Sequence, residues 1–229
     1  MYTKFLTARS PLRLLEKGLH GGLGKGNLGL VVAGPGVGKT SFLVGVALDD
    51  LIRGDHVLHV VLDQTVAHTR DFYDTVFDEL AATTQLEDGA AVHADVDRGR
   101  SIRAYPRAGF EARTLAEALE VEEEAGVKPA LVIVEGIDPA SLANGDLASW
   151  KRVAEDLPAE VWFSLGGAAD TVDTVRAELG AAWDAFAVIL ALEPGADVVG
   201  LRALKEHENP DVSTLRVALD PRSLLLKRS

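Results

Sequence analysis

No cysteine occurs anywhere in the 229-residue chain, which excludes disulfides, thiolate metal centres and a cysteine nucleophile. A reducing compartment fits that absence. Basic residues are scarce beside acidic ones: 23 Lys and Arg against 35 Asp and Glu give a formal net charge of −12. A protein that coats a nucleic-acid duplex neutralises phosphates with a basic face, so any such face here has to be local. Long apolar runs are missing too, and the longest, such as 185–192, fall far short of a spanning helix. Residues 1–13 are polar and lack the apolar core of a signal peptide. These absences predict a cytoplasmic protein with no membrane partner. What remains is an ordinary globular composition, 47% hydrophobic and 25% charged, expected to form one domain over 1–229.

The hydrophobic pattern alternates between short strand-like runs and helical faces. Residues 28–33, 57–62, 130–134 and 161–164 read as buried strands, and 101–105 as a short one. Phe42, Leu43, Val46, Ala47 and Leu51 mark a helix that stops at Gly54. Phe72, Tyr73, Val76, Phe77 and Leu80 mark a second, and Leu147, Trp150, Val153, Ala154 and Leu157 another that Pro158 closes. Val172, Val175 and Leu179 suggest a further helix. Thr114 and Glu117 have capping-box spacing and predict a helix start there, with an end near Gly126. Residues 86–99 are polar and rich in Asp, Gly and Ala, and are expected to form a loop. In the tail, 185–192, 198–204 and 215–219 are β-rich and are expected to add antiparallel strands at one edge. The whole predicts an α/β fold, a mainly parallel sheet flanked by helices.

One segment carries chemistry plainly. Ala33-Gly34-Pro35-Gly36-Val37-Gly38-Lys39-Thr40 matches the P-loop pattern, with Ala33 in place of its first Gly, between a strand and an amphipathic helix. Its glycines let several backbone N–H groups converge on one anion, and the helix start adds partial positive charge. Residues Gly34 to Ser41 are therefore the candidate nucleotide cradle. Lys39 is suited to the β- and γ-phosphates, and the Thr40 hydroxyl to Mg²⁺. A supporting acid is expected at the end of a neighbouring apolar strand. Glu135 follows 131–134 in that way, with Asp138 as the spare candidate.

Other signals are weaker. Residues 21–26 are Gly-rich but precede the strand, so a turn is expected. His93, Asp95, Asp97 and Gly99 resemble the start of a calcium loop, yet its closing acid would fall at Pro106. His56 and His59 face opposite sides of a strand and cannot chelate jointly. Ser164 lacks the Gly-x-Ser-x-Gly elbow of a hydrolase nucleophile.

With these motifs in order, the chain resembles the RecA superfamily, and within it single-domain KaiC-like ATPases. Residues 15–28 resemble the family's entry to its first core strand, 57–63 its second and 131–135 its Walker B strand. Residues 197–205 resemble its late strand with a basic finger, and 220–226 its closing hairpin. The resemblance implies a RecA-like P-loop fold, Mg-ATP at the carboxyl ends of the strands, and a homo-oligomeric ring. It also places Asp63, followed by Gln64, where relatives carry a catalytic Glu, Glu135 where they carry Asp, and Lys205-Glu206-His207 where they carry Lys-x-Arg. Lys39, Asp63 and Lys205 are thus the expected catalytic residues, and Thr40 and Glu135 the expected Mg²⁺ holders. Asp63 has a shorter reach to a water than Glu, so slow hydrolysis is expected.

The family's DNA-contacting loops correspond to 136–146, which has no Lys or Arg, and 165–184, which has only Arg176. Nucleic acid is therefore a disfavoured partner. Lys4, Arg9, Arg13 and Lys17 form at most a small basic patch. The function expected is a slow, regulatory Mg-ATPase that changes contacts with an unidentified protein partner as ATP gives way to ADP. The alternatives are a non-hydrolysing nucleotide-dependent scaffold and a phosphotransferase whose lid would use Arg98, Arg100, Arg103 and Arg107.

Overall fold

The computed structural model describes residues 12–138, 141–142, 147–165, 172–209 and 214–229. Helix α1 (Leu12–Gly18) leads into β1 (Leu28–Val32), α2 (Lys39–Arg53), β2 (Val57–Leu62), α3 (Val66–Thr84), α4 (Gly89–Gly99) and β3 (Arg100–Tyr105). Then come α5 (Ala112–Glu124), β4 (Leu131–Ile137), α6 (Leu147–Glu155), β5 (Glu160–Leu165) and α7 (Val172–Leu179). A 3₁₀ turn (Gly180–Ala185) precedes β6 (Phe186–Pro194), β7 (Val199–Glu206), β8 (Thr214–Leu219) and β9 (Leu226–Arg228).

These strands form one sheet in the order β3-β2-β4-β5-β1-β6-β7-β8-β9. The first six in that order run parallel, and β7, β8 and β9 follow as antiparallel hairpins. Strands β1 and β2 are buried at every position, as strands covered on both faces must be. Alternation sorts their side chains. Leu28, Leu30 and Val32 join one core with α5, α6 and α7, whereas Val31 joins the other with α1, α2, α3 and α4.

Three expectations change. Strand β6 is parallel to β1 rather than part of the antiparallel tail, because the chain reaches it through a helical crossover. Residues 89–99 are helical, not loop: Val96 is buried against α2 and α3, and His93 packs edge-on against Phe77, 4.9 Å between ring centroids. Helix α5 starts at Ala112 with no side-chain cap, so Thr114 lies inside it. Burial of Phe110 and Ala112 draws the first turn onto the sheet earlier than the capping box implied. Lys4 and Arg9, residues 1–11 generally, and parts of 136–146 and 165–184 lie outside the described residues.

No helix among the described residues is long and apolar enough to cross a membrane. Strand β1 lies between β5 and β6, while its successor β2 is three places away. Such a switch in strand order opens a crevice at the carboxyl ends of the strands.

Candidate functional site

The loop from Ala33 to Gly38 leaves the carboxyl end of β1 and enters α2 at that crevice. Pro35 and Gly36 are exposed at its tip. Gly36 and Gly38 have φ of +73° and +120°, which side-chain-bearing residues rarely adopt. Gly38 is constrained a second way, because a Cβ there would lie 2.4 Å from Leu219 Cδ2 at the end of β8. The C-terminal hairpin is thus the floor of this loop. Gly38 also caps α2 without a side-chain bond, so the first N–H groups of the helix keep their capacity for an external acceptor.

Lys39 turns its ammonium back onto the loop, donating to Ala33 O at 2.7 Å and Gly34 O at 3.1 Å. Burial lowers its pKa, and the charge of Glu135 opposes that shift. Thr40 Oγ1 donates to Glu135 Oε2 at 2.7 Å, joining the loop to β4. A hydroxyl whose proton is committed this way keeps its oxygen lone pairs for a cation. Ser41, the next residue of α2, is buried.

Glu135 sits just before a bulge. Gly136, at φ +81°, breaks the register with β5, and its N–H donates to Ser164 Oγ at 3.1 Å. Burial pushes the Glu135 carboxyl up. The hydrogen bond and charge of His59, the Thr40 hydroxyl and the Lys39 ammonium outweigh it and hold the group below its usual range. His59 is fully buried on β2, with Nε2 2.9 Å from Glu135 Oε1 and Nδ1 3.0 Å from the Tyr73 hydroxyl. Sequence reasoning treated His59 only as a failed chelator and missed this role. Its signal was a single polar residue inside the otherwise apolar run Val57–Leu62.

Asp63 lies two residues beyond the level of Glu135 in the sheet, exposed, at φ +58°. Its Oδ1 accepts the Arg107 N–H at 3.0 Å, and its Oδ2 is 3.4 Å from Arg107 Nε. The expected water-polarising acid is therefore committed to a turn. Asp138 is exposed beyond β4, and Glu135 is the acid bonded to Thr40.

Lys205 is not brought to this edge. It lies on β7 in a cleft of about 250 Å³ that it shares with Asn27, Lys151, Asp184 and His207, at the amino end of β1. There its ammonium donates to Trp183 O at 3.1 Å. Three of the four arginines considered for a lid are paired elsewhere: Arg98 with Asp95, Arg100 with Asp97, and Arg103 with the buried Glu122. Asp74, His93 and Asp97 cluster between α3 and α4, but the two ring nitrogens face different carboxylates: Nε2 faces Asp74 of α3 at 3.1 Å and ties the helices together, while Nδ1 faces Asp97, one turn along α4, at 3.4 Å.

Loop, helix start, ammonium and acid-bound hydroxyl together suit a polyphosphate with a hard divalent cation: Lys39 and the N–H groups answer the anion, and oxygen donors the cation. No protein-family model matches the chain, and no curated protein matches its sequence.

Proposed function

We propose that the chain is a Mg-ATP-binding, RecA/KaiC-like regulatory ATPase that hydrolyses slowly and switches assembly or protein contacts with nucleotide state. The observation that carries this reading is the 2.7 Å bond between Thr40 and Glu135, which couples the P-loop to the acid of a neighbouring parallel strand. Further support comes from the sheet, parallel through six strands with antiparallel strands added beyond β6.

In this reading Thr40 and Glu135 hold Mg²⁺, which when bound neutralises phosphate charge. Lys39 exchanges two carbonyl acceptors for phosphate oxygens, a change from dipoles to a full anion. Asp63 orients water only after leaving Arg107, which accounts for slow turnover. That same contact favours the second reading, a non-hydrolysing nucleotide-dependent scaffold. The phosphotransferase alternative loses ground, because Arg98, Arg100 and Arg103 are held by their own carboxylates. A cytoplasmic location, ATP and ADP as ligands, an unidentified protein partner and little affinity for nucleic acid belong to the same proposal.

Calorimetry with ATP tests it. Lys39→Ala is expected to weaken binding by roughly 1.5–3 kcal/mol, the range for a charge-assisted contact. Equal affinities for the variant and wild type would remove the P-loop from the account.

A further inference from the structure

A chain of polar contacts runs from the P-loop through the interior. Thr40 on α2 meets Glu135 on β4, Glu135 meets His59 on β2, and His59 meets Tyr73 on α3. The Arg100 guanidinium of β3 lies 4.6 Å from the centre of the Tyr73 ring. His59 and Tyr73 are fully buried. Polar groups placed so deep against an apolar sheet face are retained only with partners: His59 has one on either side, and the Tyr73 hydroxyl has His59.

The chemistry orders the protons. An ionised carboxylate only accepts, so His59 Nε2 carries the hydrogen that faces Glu135. The neutral ring then leaves Nδ1 to accept the Tyr73 O–H. Glu135 thereby has one oxygen fixed by His59 and the other by Thr40. The side chain needs that restraint, because Glu has one more rotatable bond than Asp and an unanchored Glu at a strand end would swing among rotamers.

We propose that His59 is a positioning residue: it locks Glu135 in the rotamer that takes the Thr40 proton and so aims the Thr40 lone pairs at the cation, while Tyr73 fixes the ring. This rests on the Mg-nucleotide reading above. Groups that orient metal-holding side chains typically matter about 10–100-fold in metal affinity.

The test compares ATP affinity in EDTA with affinity in excess Mg²⁺. His59→Leu is expected to leave the EDTA value within about twofold of wild type and to cut the gain from Mg²⁺ by about 10-fold. His59→Gln, whose amide keeps an N–H donor, should restore most of the gain. Tyr73→Phe, close in shape to the original, should fall between and guards against a misfolded leucine variant. Full Mg²⁺ gain in all three variants overturns the proposal. Equal losses in EDTA and Mg²⁺ also overturn it, since they mean a merely structural role. Wild type that binds ATP without any Mg²⁺ gain defeats His59's role but leaves the P-loop reading standing. Wild type that binds no ATP defeats the reading beneath it.

Discussion

At Asp63, backbone and side chain pull in one direction. Its left-handed conformation suits Asp better than Glu, and its carboxylate accepts the Arg107 N–H. Asp63→Glu should therefore cost about 1 kcal/mol of stability while raising ATP turnover more than it changes nucleotide affinity. Steady-state rates and denaturant melts check both halves. A fast wild-type rate unmoved by Asp63→Ala would leave Asp63 with no part in hydrolysis. Residues 33–40 were legible as a contiguous pattern, and the structure shows them as a glycine-bearing loop that leads from β1 into α2. His59 was not, since its partners Glu135 and Tyr73 are distant in sequence and only strand pairing brings them together. Arg107 was read as a lid candidate, and its pairing with Asp63 escaped for the same reason. Its contact with Asp63 needs β2 and β3 side by side.

At the scale of elements, the inner parallel strands β1, β2 and β4 were readable because burial on both faces makes them largely apolar runs. Helix α4 was not, since its Gly, Ala and Asp content lacks a strong apolar stripe, and it is held by the burial of Val96, the contact with Phe77 and the cross-helix bond between His93 and Asp74. The closing hairpin was recognised from 220–226, and its turn has a measurable signature. Lys227 donates to Asp220 Oδ2 at 2.7 Å and the Arg222 N–H to Oδ1 at 2.9 Å, holding the Asp220 carboxyl at about 2. A carboxyl depressed by folding adds stability above its unfolded value, near 3.9, and loses that contribution as pH falls toward 2. Lys227→Met should move the Asp220 titration upward, toward the unfolded value, and flatten the acid limb of the stability profile between those pH values. Carboxyl NMR titration reads the first, and an unmoved midpoint would assign the shift to the backbone alone.

Across the whole molecule, the P-loop and Lys205 occupy opposite edges of the sheet. A lysine so placed is remote from its own chain's 33–40 loop, but a head-to-tail contact would join unlike faces of successive copies and close into a ring when the rotation allows. The proposed oligomer thus predicts that light scattering shows a larger particle with Mg-ATP, and that Lys205→Ala reduces it. A monomer under every condition at high concentration removes the ring. The contact between Gly38 and Leu219 has a consequence for how the chain is made. The 33–38 loop leaves the ribosome well ahead of the side chain beneath it, which emerges only after a further 180 or so residues, roughly 10–40 s later at ordinary ribosome speeds. Over that interval a nascent chain carries the complete loop with no floor under it, and the loop's final shape waits on β8 to leave the exit tunnel.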